Sequence, residues 1–488
     1  MTGPGQTVQQ YIDETPVWRD GTEVPGAPLT GMQWRIWLLA AAGKFFEGLV
    51  VFLTGVALPL IAREFQLDGA GHGLVGAAPL AGILFGATLL GGLADRLGRK
   101  PVFIGEMFLF VAFLVAITFV HSLPLLVFCL FGMGLALGAD YPTARMVISE
   151  SIPSRTRGRL VIGAFGFQSL GALTGVAVGY LILLGEPELS AWRWMYATAV
   201  IPAAIVAAGR FFVPESANWL MARGEADKAR HNLLTLLRRQ PPHPVDPQLA
   251  AAPEEIDEGG TGYAALFDKT NRRATIFASL PWFLQDLGTY GIGIFTPTIL
   301  ATTLGHAVVK TGSIAQVVHG DMDAAKGAAM IDVLLIVGIV AAIWLADRMG
   351  RIRLQVIGFI GCAAGLLLAA LSAAFDGTVQ IVLIFAGFML FNFMTNMGPN
   401  AQTYLIAGEV FLTHLGGKGA GFAVSFPKIG AVMTAFMFPV LLVDLGQSVL
   451  LGLLIVTSLI GAAVTWIYRI DTTGIDLDTL SRNSGNGS

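Results

Sequence analysis

Three side chains in one apolar stretch could bind a polar solute: Trp282, Asp286 and Tyr290. They are four residues apart, and a helix places positions i, i+4 and i+8 on one face. An indole, a carboxyl and a phenol on one face would line a polar cavity, where the carboxyl could also exchange a proton. The alternative is that Asp286 caps a broken helix or forms a structural ion pair.

A second candidate group, Asp140, Tyr141 and Arg145, lies at the end of an apolar run that begins near Leu123. Charged groups at hydrocarbon depth cost about 2.5–3.5 kcal/mol each, so they persist only when paired or facing a wet cavity. Arg145 follows Tyr141 by one helical turn and shares its face. It could neutralise Glu47 or Asp140, or it could contact a bound anion directly.

Further polar residues extend the candidate site to both halves of the chain. Asn396 and Asn400 flank a Gly-Pro pair, whose freed backbone groups are tolerable in a membrane only beside protein or cavity water. These two amides could instead join neighbouring helices. Gln168 and Lys428 lie in two other apolar runs, and Lys428 has long apolar sequence on both sides. We therefore expect Lys428 to face a cavity.

Three more ionisable residues, Lys44, Glu47 and Glu106, occur in the first and third apolar runs. Lys44 precedes Glu47 by three residues, a spacing that brings two side chains together on a helix. An ion pair and a functional role are both compatible with that spacing.

The elements that carry these residues are membrane-spanning helices. The chain has 488 residues, of which 54% are hydrophobic and only 13% are charged, whereas soluble proteins have about 25% charged residues. About a dozen apolar runs are long enough to cross a hydrocarbon layer roughly 30 Å thick. The net charge of −3 argues against nucleic acid as a partner. Both cysteines lie in apolar runs, so no disulfide or zinc cluster is expected.

Twelve spans are predicted, which makes the fold all-α with two six-helix bundles. They are expected at 36–62, 72–93, 101–120, 124–148, 158–185, 191–213, 273–300, 327–346, 353–374, 379–408, 419–443 and 447–469. The predicted regions are a polar N-terminal segment (1–35), an N-terminal bundle (36–213), a linker with an amphipathic helix near 216–238 (214–272), a C-terminal bundle (273–469) and a polar tail (470–488). A longer loop is expected over 301–326.

A repeated basic loop relates the two halves. The sequence Leu-Ala-Asp-Arg-Leu-Gly-Arg at 93–99 recurs as Leu-Ala-Asp-Arg-Met-Gly-Arg at 345–351. The repeat indicates two parallel bundles with a substrate site near the midplane between them. The basic loops fall on one side, which the positive-inside rule makes cytoplasmic together with both termini. Candidate gating residues on that side are Asp95, Arg96, Arg99, Glu150, Arg157, Asp347, Arg348, Arg351 and Glu409.

Together with Pro214-Glu215-Ser216, the repeated loop resembles that of the major facilitator superfamily, and the charged loops resemble those of its sugar porters. The phrases at 138–142, 282–291 and 396–400 are similar to those of the phosphate:proton symporters within that superfamily. The resemblance implies substrate contacts from Tyr141, Gln168, Trp282, Asp286, Tyr290, Asn400 and Lys428. It also implies proton-handling roles for Glu47, Glu106, Asp140 and Asp286. Val50 replaces an acid of that family and Arg145 adds a cation, which favours an anion as substrate.

These features predict a proton-coupled importer that works by alternating access, with inorganic phosphate as the first substrate expected and no cofactor besides the coupling proton. An ionised Asp286 would repel an anion in a low-dielectric cavity, so protonation of a buried acid should favour binding. The alternatives are transport of an organic metabolite, such as a sugar or an aromatic acid, and a receptor that senses a solute without moving it. No residue pattern predicts an enzyme. We expect a monomer in the plasma or inner membrane, with the anion and the lipid bilayer as its partners.

Overall fold

The structure is a computed structural model that describes residues 6–15, 28–90, 92–185, 188–239, 247–250, 263–269, 271–303, 314–407, 410–411 and 416–470. These residues are almost entirely helical, and an isolated β-bridge between Gln6 and Leu249 is the one strand-like contact among them. Helices are expected from the composition, because in lipid a helix satisfies all its backbone polar groups internally.

The first half of the chain begins with a short helix and continues with the first bundle. Its helices are α1 (Val8–Asp13), α2 (Gly31–Phe65), α3 (Gly69–Phe85, continued by a π-helical turn at Gly86–Leu90), α4 (Leu93–Leu97), α5 (Arg99–Ile117), α6 (Leu123–Ser151), α7 (Ser154–Gly185), α8 (Ala191–Ala197) and α9 (Val200–Arg210). Together, α8 and α9 form the sixth predicted span.

The second half contains two linker helices and the second bundle. Its helices are α10 (Ala217–Ala222), α11 (Ala226–Leu236), α12 (Arg272–Thr303), α13 (Ile314–Met349), α14 (Arg351–Leu371), α15 (Gly377–Met397), α16 (Pro399–Ile406), α17 (Gly416–Leu445) and α18 (Gln447–Tyr468). Short 3₁₀ turns occur at Tyr263–Phe267 and Ser372–Ala374. The Gly-Pro pair interrupts one span, so that α15 and α16 together form the tenth.

Eleven helical stretches among the described residues are long and apolar enough to cross a membrane. The twelfth predicted span is α12, which has sufficient length at 32 residues but carries Gln285, Asp286 and Thr289 in its middle. The hydropathy of α12 is therefore lower than that of the other spans because of polar residues that lie at the candidate site. The all-α architecture with two bundles is confirmed.

Two predictions about connecting segments are wrong. The linker does not form one helix over 216–238, because α10 and α11 are separated at Gly224, whose φ of +76° is left-handed. The loop expected over 301–326 is shorter, because α13 already begins at Ile314. Hydropathy could not show this helical extension, since its side chains are too polar to resemble a span. Residues 304–313 lie outside the described part of the chain.

Residues 6–15, which we call the N-terminal strap, are attached to the linker and to the first bundle. The Thr7 side chain caps α1, and Gln248 donates its backbone N–H to the Tyr11 hydroxyl over 2.9 Å. The Asp13 carboxylate accepts hydrogen bonds from the backbone N–H (2.7 Å) and the hydroxyl (2.8 Å) of Ser154, at the start of α7. Arg239 donates to the backbone carbonyl of Ile12. The strap thus holds the linker against the first bundle.

The two bundles meet mainly along three helix pairs, in which α2 packs against α12, α3 against α17, and α7 against α13. Within the bundles, α2 packs extensively against α7 and α14 against α15. The candidate residues on α2, α7, α12 and α17 are therefore brought to one interface.

Candidate functional site

The Tyr290 hydroxyl is the junction between the two bundles at the centre of the protein. It donates to Glu47 Oε1 of α2 over 3.1 Å and accepts from Lys428 Nζ of α17 over 2.9 Å. Gln168 Nε2 of α7 lies 3.3 Å from both the Tyr290 hydroxyl and Glu47 Oε1. Four predicted site residues from different apolar runs thus meet at one point.

Each bundle contributes one ion pair to this junction. In the first bundle, Lys44 Nζ lies 2.5 Å from Glu47 Oε2, and in the second, Lys428 Nζ lies 3.2 Å from Asp286 Oδ2. All four side chains are buried. Lys428 and Glu47, in opposite bundles, are 4.0 Å apart, the limit for an ion pair. We call these four residues with Tyr290 and Gln168 the central cluster; its two cations and two carboxylates balance.

Four buried rings form an aromatic layer between the central cluster and the end of the protein that carries the basic loops, here called the basic end. Tyr404 stacks on Phe165 (4.8 Å between centroids) and meets Tyr141 (5.7 Å) and Trp282 (6.1 Å) edge-on. Tyr141 and Phe165 belong to the first bundle, whereas Trp282 and Tyr404 belong to the second. Trp282 precedes Tyr290 by eight residues of α12, or about 12 Å of helix. The layer therefore closes the path from the basic end.

The opposite end is closed by backbone contact between the bundles. A Cβ atom on Gly55 of α2 would lie 2.4 Å from the carbonyl oxygen of Ile294, and one on Gly73 of α3 would lie 2.3 Å from that of Phe436. No side chain fits at either glycine. The bundles are thus in contact on both sides of the central cluster, and we call this arrangement occluded.

Arg145 differs from the other buried or half-buried cations near the centre because it has no acidic partner. Its guanidinium lies 5.7 Å from the Tyr404 ring centroid, and within the described part of the chain it forms no hydrogen bond or ion pair. The interpretation that Arg145 neutralises Glu47 or Asp140 is therefore wrong. On the adjacent turn, the Tyr141 hydroxyl is buried without a hydrogen-bond partner in the described residues, and the Lys44 ammonium lies 3.0 Å from the Tyr141 ring centroid.

The partner of Asp140 is Arg210, which the sequence did not single out. The fully buried Arg210 guanidinium lies 2.6 Å from Asp140 Oδ1 and donates to Glu106 Oε1 over 3.0 Å. It also donates to the backbone carbonyl of Phe103. One cation thus serves two carboxyl groups inside the first bundle. Arg210 lies near the end of a predicted span, where a basic residue is typical of a loop boundary, and this position concealed its role.

The two asparagines of the tenth span make contacts between helices. Asn396 Nδ2 donates to Ser169 Oγ of α7 over 2.6 Å and to the carbonyl of Leu335 on α13 over 2.8 Å. Asn400 Nδ2 donates to Asn396 Oδ1 over 2.7 Å. The bond to Ser169 crosses the bundle interface. The Asn396 amide therefore joins neighbouring helices, as the alternative interpretation holds, whereas Asn400 bonds to Asn396 of its own span.

At the basic end, the predicted charge network is present in the first half of the chain. Arg99 lies 2.9 Å from Asp95 and 3.0 Å from Glu150. Glu215 Oε1 accepts from the backbone N–H groups of Arg99 (2.9 Å) and Lys100 (3.2 Å), so it occupies the N-terminus of α5, where a negative charge is favourable. Sequence reasoning noted Glu215 only as part of a motif and assigned it no contact.

Arg96, Arg157 and Arg348 form no ion pair with a carboxylate among the described residues. Arg157 contacts the Ile152 carbonyl and not Glu150. Arg96 is exposed, and its backbone carbonyl accepts from Arg223 over 2.5 Å. In the second half, Arg348 stacks on Trp344, 4.1 Å from the ring centroid, and Arg351 begins α14. The Asp347 side chain and all of Glu409 lie outside the described part.

Two bundles that close around a polar cluster define a multi-pass membrane transporter. Residues 36–483 match the model of the family "Sugar (and other) transporter", and the chain belongs to that family of the major facilitator superfamily. The predicted superfamily is therefore confirmed, and the relatives are transporters rather than enzymes.

Individual relatives cover nearly the whole chain. The chain is 28% identical over 445 residues to the putative metabolite transport protein YaaU of Escherichia coli (91% of this chain, 93% of the relative). It is 26% identical over 413 residues to the niacin transporter NiaP of Acinetobacter baylyi (84% and 88%). The proton:xylose symporter XylE of E. coli superposes with a TM-score of 0.71 over 92% of this chain and 98% of that chain, at 19% identity, which shows the shared fold.

The phosphate prediction receives little support from these comparisons. A probable inorganic phosphate transporter, 1-12 of Oryza sativa subsp. japonica, is 24% identical over 506 residues (91% of this chain, 90% of the relative). The better-matching relatives are named as metabolite transporters. What is established is therefore a transporter of the sugar and metabolite type in a membrane.

Proposed function

We propose that this protein is a proton-coupled symporter that imports a small organic anion, with one carboxylate on an apolar or aromatic body. The observation that carries the proposal is the Arg145 guanidinium beside the aromatic layer, which has no hydrogen-bond or ion-pair partner among the described residues. A guanidinium binds a carboxylate through two parallel charge-assisted hydrogen bonds. The same site residues, Tyr141, Trp282 and Arg145, would then serve the substrate's ring and its charge.

The charges around Arg145 support a substrate with one negative charge. The central cluster balances internally, with two lysines and two carboxylates. If Glu106 and Asp140 share one proton, the two carboxyl groups together carry one negative charge, which the Arg210 guanidinium compensates. Arg145 then remains as the single uncompensated charge of this set. The unpartnered Tyr141 hydroxyl supplies a further hydrogen-bond donor.

Proton coupling would use the acids at these two places. Glu106 and Asp140 share one cation, and two like charges at close distance cannot both ionise without a large cost. At the junction, Asp286 and Glu47 each have a lysine partner that a bound anion can attract away. We propose that proton uptake by these carboxyls accompanies anion binding, and that the neutralised site lets the bundles rock.

The direction of the rocking motion follows from the closed ends. Opening toward the basic end separates Tyr141 and Phe165 from Trp282 and Tyr404, whereas opening toward the other end separates α3 from α17. The positive-inside rule places the basic end in the cytoplasm, together with both termini. Import then means opening of the α3–α17 side first.

Inorganic phosphate is the second candidate. It is favoured by the rice relative, which is named a phosphate transporter, and by the polar residues at positions 138–142 and 396–400. Against it, the walls beside Arg145 are aromatic rings, which suit an apolar body better than a fully hydrated tetrahedral anion.

Uptake into proteoliposomes separates these candidates. The purified protein would be tested with radiolabelled niacin, phosphate and xylose, with and without an inward proton gradient and with a protonophore control. We expect niacin to accumulate and its accumulation to collapse with the protonophore. Accumulation of phosphate alone would favour the second candidate. Accumulation of xylose without either anion would overturn the proposal, and binding without uptake would indicate a receptor.

A further inference from the structure

A further buried acid lies in the interior of the second bundle, away from the central cluster. Asp332 occupies the middle of the apolar span Gly320–Ala346 of α13 and is 2% exposed. Its Oδ1 atom accepts a hydrogen bond of 2.9 Å from Asn392 Nδ2 of α15. No cation of the described residues forms an ion pair with it. An ionised carboxylate in this position would lack the compensation that such groups require in a membrane.

The ionisable groups on the helices around α13 have other partners. On α2, Lys44 and Glu47 form an ion pair, and on α12, Asp286 contacts Lys428 while Tyr290 contacts Glu47. Cys362 of α14 donates to the Phe391 carbonyl. On α15, the neutral amide of Asn392 is the one group among the described residues that forms a hydrogen bond with Asp332.

A route connects Asp332 with the bundle interface. One turn along α15 from Asn392, the Asn396 amide donates both to the Leu335 carbonyl of α13 and to Ser169 Oγ of α7 in the other bundle. The helices here are in backbone contact, since a Cβ atom on Gly338 of α13 would lie 2.5 Å from the Phe393 carbonyl oxygen. A charge on Asp332 can therefore be hydrated only when α13, α15 and α7 move apart.

We propose that Asp332 is a separate proton-binding site in the second bundle, which holds a proton in the occluded arrangement and releases it when the α7–α13–α15 contact opens. The proposal deepens the proposed proton coupling and rests on it for its role in transport, but it concerns a different bundle and needs no substrate. A permanently protonated Asp332 with a purely structural role is the alternative.

Hydrogen–deuterium exchange of the purified protein, without substrate, tests the site. Exchange is measured at acidic and at alkaline pH, and the rates are corrected for the intrinsic pH dependence of amide exchange. In the natural protein, we expect peptides of α13 and α15 to exchange faster at alkaline pH. Asp332→Asn cannot ionise, so its peptides should lose that pH dependence. Asp321→Asn is the comparison variant, because Asp321 is the competing site: it is another acid buried in α13, and neither of its carboxylate oxygens has a hydrogen-bond partner in the described residues. If Asp332 is the responsible site, this variant should keep the pH dependence of the natural protein.

Three results would overturn the proposal: no pH dependence in the natural protein, persistence of the dependence in Asp332→Asn, or its loss in Asp321→Asn alone. If Asp332→Asn does not fold, Asn392→Ala replaces it. That variant removes the only described partner of the carboxyl, so the pH midpoint of the exchange response should shift. An unchanged midpoint would equally overturn the proposal. Failure of niacin uptake, by contrast, leaves this result unaffected, so the two proposals fail separately.

Discussion

The Arg210 contact and the Tyr290 junction are two buried polar clusters with opposite designs. Arg210, Glu106 and Asp140 belong to one bundle, and their formal charges do not balance. Tyr290 joins the two bundles through a neutral hydroxyl, while each lysine at the junction has its nearest acid in its own bundle. The shortest charge contacts thus lie within bundles, while a phenol and the longer 4.0 Å approach of Lys428 to Glu47 cross between them.

This difference suits a protein whose bundles must separate. Separation at the junction breaks hydrogen bonds of Tyr290 to Glu47 and Gln168, each worth about 0.5–1.5 kcal/mol net. Breaking a buried ion pair would cost about 3–5 kcal/mol. The Asn396–Ser169 bond across the interface is neutral as well. Separation of the bundles therefore leaves the shortest ion pairs at the centre, Lys44–Glu47 and Lys428–Asp286, intact.

The largest expected effect comes from Arg210→Leu. The substitution leaves Glu106 and Asp140 buried without a cation, so the free energy of unfolding should fall by about 3–5 kcal/mol. Thermal unfolding in detergent measures the change. Adding Glu106→Gln and Asp140→Asn to the variant should restore much of the loss. A single variant as stable as the natural protein would show that these carboxyls are neutral and do not need Arg210.

Asp286→Asn tests the ion pair of the second bundle. We expect proton-driven accumulation in proteoliposomes to fall by at least about tenfold, because the acid that exchanges the proton is gone, while the protein remains folded. Substrate exchange without a proton gradient should persist and serves as the control for folding. Full accumulation by this variant would exclude Asp286 from coupling.

Arg145→Ala tests the unpaired cation. A hydrogen bond to a charged group contributes about 1.5–3 kcal/mol, so the affinity for the transported anion should fall by roughly 10–100-fold, as measured by equilibrium binding. The unfolding temperature should stay the same, because Arg145 has no acidic partner among the described residues that its removal would leave behind. Arg145→Lys keeps the charge and should recover part of the affinity. Unchanged affinity with lower stability would make Arg145 structural.

The smallest expected effect comes from removing one tyrosine hydroxyl, either between the bundles or inside the first bundle. Tyr290→Phe removes the hydroxyl that joins the bundles, whereas Tyr196→Phe removes one that contacts Thr54 inside the first bundle. Each should lower the free energy of unfolding by about 1 kcal/mol. Only Tyr290→Phe should change the transport rate. Equal transport rates in both variants would contradict the role of Tyr290 as the junction.

Much of the fold follows from the sequence because each span is an apolar run longer than a bilayer requires. The predicted 158–185 and the observed Ser154–Gly185 illustrate the agreement. Helix ends that lie in polar sequence were harder to predict. In α13, the polar residues that precede the apolar span are helical, but their hydropathy does not differ from that of a loop. Gly224 could have indicated the break in the linker, because glycine readily adopts positive φ.

The site was predictable where spacing along one helix decides the contact. Lys44 and Glu47 are three residues apart, and the observed ion pair is one of the two outcomes that this spacing allows. Contacts between helices were not predictable in the same way. Neither the pairing of Arg210 with Asp140 nor that of Asp332 with Asn392 follows from sequence, because helix packing decides which faces meet.

The N-terminal strap sets an order for the synthesis of the protein. Tyr11 and its partner Gln248 are 237 residues apart, so at about 5–20 residues per second the partner emerges from the ribosome roughly 10–50 s after the strap. During that interval the buried faces of Val8 and Ile12 have no linker to cover them. Attachment of the strap can therefore occur only after the whole first bundle has been translated, and it marks that stage of biogenesis.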